Sequence, residues 1–355
     1  MISFAIIGAG WRSVFYHRVA HACPDRFKVA GVVTRNPAKA SPLADRFGVN
    51  LYPSLDDLLA SARPLFVVTA VPWTANPGLL KQLADRDVPA LSETPPATAV
   101  GEMTDLCDLT RKGAKIQVAE QYSFQPHHAA RLAFARSGKI GRVTQAQVSA
   151  AHGYHGVSLI RRFLDVGFQN ATITACGFTS PIVKGPGRDG PPAEEATAKS
   201  TQTLAWLDFG DRLGGFDFTG DQYFSYIRGQ RLLVRGERGE IVDNSAVYLQ
   251  DHLTPLRVAF TRHSAGPEGN LEGNYLKGIQ AGESWVYRNP LAPGELSDDE
   301  IAVGACLLKM ADYADGGPPF YPLADACQDR YLDLVIQDAQ KQRQPVTTET
   351  QPWAA

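Results

Sequence analysis

The sequence predicts an α/β chain: an N-terminal Rossmann unit on a doubly wound parallel sheet, then an α+β unit on a large, mostly antiparallel open sheet. Three observations carry this. Phe4-Ala5-Ile6-Ile7 is an apolar run that stops at Gly8-Ala9-Gly10, the pattern of a strand buried on both faces entering a glycine turn. Apolar runs and helix-like segments then alternate as far as Ala119. After Glu120 the runs turn one-sided, with Ala146, Val148 and Ala150 interleaved by Gln145, Gln147 and Ser149. The expected division is 1–120 for a dinucleotide-binding unit and 121–355 for a second unit left to take the substrate.

The first strand and its turn fix the chemistry expected of the first unit. Arg12 to Ala22 has no Pro or Gly and reads as a helix, so its first amides can face an anion lying over Gly8 and Gly10. The first glycine allows the tight turn and the second lets the backbone approach a pyrophosphate. Ser13 stands where the fingerprint has its third glycine and is small enough for close packing. Gly8, Gly10, Trp11, Arg12 and Ser13 are therefore the expected cofactor turn. Lys28 to Val33 reads as the second strand, and Thr34 and Arg35 stand at its end, where the residue meeting the adenosine ribose belongs. A carboxylate there would repel a 2′-phosphate, whereas a hydroxyl followed by a guanidinium suits one, so NADP is expected over NAD.

The alternation continues. Leu43 to Gly48 is a short helix closed by glycine, and Ser54 caps a helix with acidic residues in its first turn. Leu65 to Pro72 is a buried strand that ends at Val71-Pro72, on the nicotinamide side. Asn76 to Arg86 is helical, Val88 to Glu93 is a strand ended by two prolines, Val100 to Lys112 is helical, and Lys115 to Ala119 is the last strand. In the second unit, His127 to Ser137 reads as a helix. Strands are expected at 172–178, 203–209, 213–218, 231–235 and 256–260, with long loops over 183–198 and 264–274. Asp298 to Ala314 and Leu323 to Lys341 read as amphipathic helices, at least one of which is expected to pack back on the first unit.

Composition narrows the function classes. Lys+Arg number 35 against Asp+Glu 37, for a formal charge of −2 without long like-charge blocks, so no footprint for nucleic acid or an anionic membrane is expected. The five cysteines are scattered and form no C-x-x-C, which argues against a disulfide framework and against a zinc site. No apolar stretch reaches the length of a membrane span, and the first strand begins almost at once, so a cytoplasmic protein is expected.

These pieces resemble, over essentially the whole chain, the glucose-fructose oxidoreductase and inositol dehydrogenase family. The matching stretches are Gly8-Ala9-Gly10, Val71-Pro72, Glu93-Thr94-Pro95, Tyr122 to Pro126, Gly138-Lys139-Ile140-Gly141, and His155 with Leu159 to Leu164. The resemblance implies hydride exchange between NAD(P) and a carbon bearing a hydroxyl, on a sugar, cyclitol or related compound. It also implies homo-oligomer contacts through the open sheet, His155 as acid/base, and Glu93 at the nicotinamide ribose.

Two departures bear on the chemistry. The family's Glu-Lys-Pro lysine is Thr94 here, and its aspartate four residues before the histidine is Ala151. A neutral imidazole, with an ordinary pKa near ~6.5, can take a hydroxyl proton, whereas Thr94 can only exchange hydrogen bonds. Tyr122, Tyr154 or Arg161 are the expected compensators at the reacting oxygen, Arg161 by its charge and never as a base. His152 joins His155 only if a turn brings the two rings together. Phe216 to Arg228 mixes aromatics and carboxylates as a polyhydroxylated ligand requires, with Asp221 and Tyr223 as candidates. The leading reading is an oxidoreductase. The alternatives are a glycosidase or lyase that borrows and returns a hydride without net redox change, and a silent NADP-binding protein.

Overall fold

The computed structural model describes residues 1–354. The first half alternates β1 (Ile2–Ile7), α1 (Ser13–Ala22), β2 (Phe27–Val33), α2 (Pro37–Phe47), β3 (Leu51–Tyr52) and α3 (Leu55–Ser61). It continues with β4 (Phe66–Thr69), α4 (Asn76–Ala84), β5 (Ala90–Ser92), α5 (Val100–Arg111) and β6 (Ile116–Val118). The six strands make one sheet in the order β3-β2-β1-β4-β5-β6, with every ladder parallel. The order reverses between β1 and β4, and the crevice outside their carboxyl ends is where such sheets take ligands. Burial explains the unbroken apolar runs: Phe4, Ala5, Ile6, Phe66, Val67 and Val68 are fully enclosed, because helices cover both faces.

The second half begins with α6 (Pro126–Arg136), β7 (Val143–Ser149), α7 (Gly153–Leu164), β8 (Thr172–Val183), β9 (Thr197–Asp208) and β10 (Leu213–Thr219). Then come β11 (Arg231–Gly236), β12 (Gly239–Val242), β13 (Ser245–Leu249), β14 (Pro255–Ala265), β15 (Tyr275–Ala281) and β16 (Ser284–Arg288). The chain closes with α8 (Asp298–Ala314), α9 (Leu323–Gln342) and β17 (Val346–Thr347). These strands form an eleven-stranded sheet, β16-β15-β14-β13-β12-β11-β7-β10-β9-β8-β17. It is antiparallel except where β7 and β10 pair in parallel. On its inner face Val157, Ile160, Phe163 and Leu164 of α7 share a core with Ala146, Val148 and Phe216. The outer face is uncovered and carries Phe178 and Trp206, 60% and 48% exposed.

The two sheets are tied by the C-terminal helices. Val303, Leu307 and Met310 of α8 join Tyr16 and Val19 of α1 in one apolar cluster. Ala326 and Cys327 of α9 pack with Leu106 and Cys107 of α5, the two thiol sulfurs 3.7 Å apart. Two expected loops are shorter than the sequence suggests. β8 and β9 pair residue by residue out to Val183↔Thr197, and β14 runs to Ala265. Gly-, Pro- and Thr-rich segments can continue a ladder because the pairing is between backbones and needs no apolar alternation. Among the described residues no helix is long and apolar enough to cross a membrane.

Candidate functional site

The crevice starts at Gly8. Its φ of +110° and its closeness to the end of β4 both demand glycine, since a Cβ there would lie 2.1 Å from the Ala70 carbonyl oxygen and 3.3 Å from Val71 Cγ1. A Cβ at Gly10 would meet nothing within 4 Å, so the turn is open on the side where α1 begins. Ser13 is buried and its hydroxyl donates to Gly10 O at 2.7 Å, fastening turn to helix. Thr34 and Arg35 follow β2, which is held to the turn by Gly8 N donating to Val33 O at 2.9 Å. The Thr34 hydroxyl accepts from Asn36 N at 3.3 Å, and Arg35 is exposed. This cradle fits a dinucleotide: tight where the strand must turn, open where a phosphate needs room, and lined by amides at a helix start.

Side chains of the turn do something the sequence did not indicate. The Arg12 guanidinium reaches across the strand ends, with Nε on Glu93 Oε1 at 2.7 Å and Nη1 on Asp299 Oδ2 at 3.1 Å. Burial works against its charge, but Glu93, Tyr16 and Asp299 outweigh it and raise its pKa. Tyr16 also donates to Glu93 Oε1, at 2.5 Å, and Thr94 N donates to Oε2 at 3.3 Å. This modifies the expectation for both ends of the pair. Glu93 is spent largely inside the protein, holding Arg12 and Tyr16, and Arg12 leaves only its backbone at the turn.

Ahead of this pair lies a cluster built on the start of α7 and the segment after β6. His152 precedes the helix in extended backbone, and Gly153, at φ +43°, turns the chain so that the His152 and His155 rings converge at 4.9 Å. His155 is 5% exposed; its Nδ1 lies 2.5 Å from Oε2 of Glu120, itself 1% exposed. Nε2 makes no hydrogen bond among the described residues. Burial pushes Glu120 up to about 8, partly countered by the Tyr122 amide and Ser158 hydroxyl. Burial, and then the Arg12 charge, drives His155 down. Both shifts disfavour charge, so the pair titrates as a unit that at neutral pH holds one shared proton between carboxyl and Nδ1. Nε2 then carries the second imidazole hydrogen.

Aromatic groups wall the cluster. Tyr122 lies 4.5 Å from the His155 ring and donates to Tyr223 Oη at 3.2 Å. Tyr223 in turn donates to His152 Nδ1 at 2.7 Å and accepts from His152 N at 3.1 Å. Burial, and then His155, holds His152 neutral, down to about 3. Tyr154 donates to the Thr94 carbonyl at 3.4 Å and meets Trp73 edge-on at 6.3 Å, just past Val71 and Pro72. Asp221 is engaged by the residue that caps its turn, its carboxylate accepting from Thr219 Oγ1 at 2.7 Å.

Arg161 requires a correction. It is six residues from His155 on α7 but points away from it, into a buried cluster. Nη1 donates to Asp329 Oδ1 at 2.5 Å and Asp325 O at 3.0 Å, while Nη2 and Nε donate to Gly167 O at 2.7 and 3.0 Å. Nη2 also reaches Asp325 Oδ1 at 3.2 Å. Every donor is engaged, so none is left for a substrate oxygen. Conversely, Glu120 and Trp73 were not expected. Their signal was present, since a carboxylate and a tryptophan just past the carboxyl ends of β6 and β4 sit where open parallel sheets bind ligands.

Comparison with known proteins agrees with this geometry. Residues 2–121 match the family model described as "Oxidoreductase family, NAD-binding Rossmann fold". No curated protein matches the chain. Among solved structures, a levoglucosan dehydrogenase holding NADH and levoglucosan has 17% identity and a TM-score of 0.69, over 98% of this chain and 99% of that one. A myo-inositol dehydrogenase from Corynebacterium glutamicum has 16% identity and a TM-score of 0.64, over 98% and 99%. An oxidoreductase from Agrobacterium radiobacter, in complex with NAD+, L-tartaric acid and magnesium, has 18% identity and a TM-score of 0.64, over 97% and 98%. At such identities the likeness is one of fold. The matching family model is the one of the NAD-binding oxidoreductases that include glucose-fructose oxidoreductase and inositol dehydrogenase, and its match spans the first sheet and its helices.

Proposed function

We propose that the protein is a nicotinamide-dependent oxidoreductase acting on a hydroxyl or keto carbon of a sugar, cyclitol or related compound. The observation that carries this is the Glu120–His155 pair, a buried acid/base packed against Tyr122 and Tyr154 just past the carboxyl end of β6. Gly8, Gly10 and Ser13 hold the cofactor, with Val71 and Pro72 on its nicotinamide side. When bound, the nicotinamide supplies the hydride acceptor or donor. His155 Nε2 takes the hydroxyl proton of an alcohol or returns it to a carbonyl oxygen. Glu120 fixes the ring through Nδ1. Tyr122 and Thr94 orient the reacting oxygen, and Trp73 and Tyr154 offer apolar faces to a ring bearing hydroxyls. The levoglucosan dehydrogenase that holds levoglucosan and the myo-inositol dehydrogenase, both of related fold, favour this substrate class.

The shared proton sets a pH dependence. Alcohol oxidation needs Nε2 bare, which requires the pair to lose its proton. Carbonyl reduction needs that proton present. Oxidation should therefore rise through a midpoint near 8 and reduction should fall over the same range. Glu120→Gln leaves an amide oxygen accepting from Nδ1–H, so Nε2 is already bare and the oxidation midpoint should drop below ~6.5. Initial rates in both directions across pH check this; an unmoved midpoint in Glu120→Gln would refute the role given to Glu120.

Thr34 and Arg35 favour NADP. Loss of one charge-assisted bond, at about 1.5–3 kcal/mol, should weaken NADPH roughly 10- to 100-fold in Arg35→Ala and leave NADH nearly unchanged. Titration of both nucleotides reads this directly, and equal weakening would remove the assignment.

The uncovered sheet face supports a further reading, that copies of the chain associate there. It carries a concavity of about 620 Å³ lined by Gln147, Cys176, Trp206, Leu233 and Val242, and an exposed face with apolar groups of this kind marks an interaction surface.

The function is tested by a sugar and cyclitol panel with NAD+ and NADP+, read by nicotinamide absorbance and by product analysis. One nicotinamide reduced per product is the expected result. Product without net reduction would replace this reading by a hydride-borrowing glycosidase or lyase, a reading favoured by Thr94 and Ala151 in place of the lysine and aspartate. Cofactor binding with no product from any compound would leave a silent binding protein.

A further inference from the structure

The β8–β9 hairpin extends well beyond the sheet. Lys184 N donates to Ala196 O at 2.8 Å past the last ladder pair, and Gly187 and Gly190 exchange backbone hydrogen bonds of 2.9 and 3.2 Å. This closes a tight two-residue turn with Arg188 and Asp189 at its tip, followed by Gly190 at φ +110°. The tip comes to rest on the other half of the molecule. The Arg188 guanidinium carbon stands 3.7 Å from the centre of the Trp11 ring, and Trp11 directly follows Gly10.

Three facts make this contact more than surface packing. Trp11 is 56% exposed, an unusual placement for so large an apolar group, and its ring is the platform on which the guanidinium is held. Arg188 is exposed, with no hydrogen bond or ion pair among the described residues, so its planar fork of donors is uncommitted. The adjoining side of Gly10 is open. The hairpin is also braced on the far side, where a Cβ on Gly185 would lie 3.2 Å from Ser225 Cα, next to the turn that carries Tyr223.

We propose that Arg188 is a cofactor ligand supplied by the second sheet, its guanidinium held on the face of Trp11 to take the pyrophosphate of a dinucleotide lying over Gly10. A guanidinium suits this task because its parallel N–H groups match phosphate oxygens two at a time. It would add a charged partner to the helix-start amides of α1, which are dipolar and carry no full charge. This rests on the nicotinamide-dependent reading above.

The test is equilibrium binding of NADH, NADPH, ADP-ribose and adenosine to the full-length protein, wild type against Arg188→Ala and Trp11→Leu, with circular dichroism melting as the folding control. Arg188→Ala should weaken NADH, NADPH and ADP-ribose alike, by roughly 10- to 100-fold, and leave adenosine and the melting temperature unchanged. Trp11→Leu should weaken the same three ligands less, because the guanidinium is retained without its platform. Arg188→Ala binding all three as wild type does would overturn this proposal alone. Weakening of NADPH only would also overturn it, by moving the guanidinium to the 2′-phosphate. A wild type that binds no dinucleotide would overturn both this proposal and the reading on which it rests.

Discussion

His155→Ala lowers turnover by about 10² to 10⁴ while leaving cofactor affinity within a few-fold of wild type. The size follows from the role proposed for His155 in moving the hydroxyl proton, since general acid/base catalysis contributes factors of this order. The separation from binding follows from the geometry. His155 Nδ1 is held by Glu120 at 2.5 Å, and the ring packs against Tyr122, Tyr154 and His152 rather than against the backbone amides that open α1. Single-turnover rates and cofactor titration, on the same variant, check the two halves independently. A turnover unchanged by the substitution would mean that no proton passes through this ring. An equal loss of cofactor binding would mean that the imidazole serves to build the cradle.

Arg161→Ala destabilises the fold by about 3–5 kcal/mol, the usual cost of stranding a buried charge partner. Asp329 is 2% exposed, accepts from Arg161 and from the Tyr321 hydroxyl, and has its pKa lifted to about 6 by burial against the pull of Arg161. Without the guanidinium that pKa rises further, and the carboxyl can escape its isolation by taking a proton. The sign of the pH dependence follows. A carboxyl whose folded pKa exceeds its unfolded value of ~3.9 loses stability as pH rises from the unfolded towards the folded value. The deficit of the variant should therefore be smaller at pH 5 than at pH 8. Denaturant unfolding at the two pH values measures it. A variant of wild-type stability but impaired substrate affinity would instead return Arg161 to the site, against the contacts described here.

How much of this was legible beforehand depended on where the information lay. β1 and its turn were readable because a strand buried on both faces must be apolar and because Gly8 has no alternative at its φ and its distance from Ala70. The bounds of α8 match the expected 298–314, since Ser297 caps the helix and Glu300 completes the capping box. The second sheet was readable in kind but not in extent. β12, β13, β15 and β16 are short hairpin strands whose pairing comes from neighbouring backbone, and nothing in local alternation announces it. The site was harder still. Arg161 and Glu120 are both charged residues beside apolar runs, and the sequence alone favoured Arg161, whose donors are all engaged elsewhere. What separates them is a partner 168 residues away for Arg161, Asp329, and one 35 residues away for Glu120, His155. Arg12 shows the same limit, because Asp299, 287 residues distant, helps draw its side chain off the turn.

The central claim is hydride transfer between substrate carbon and nicotinamide with His155 carrying the proton. Its most direct test uses a compound active in the panel, deuterated at the carbon bearing the reacting hydroxyl, with one equivalent of NAD(P)+ and mass analysis of both recovered nicotinamide and product. The account predicts deuterium retained in the reduced nicotinamide and absent from the product. Deuterium back on the product, with the nicotinamide oxidised and unlabelled, would contradict net oxidation.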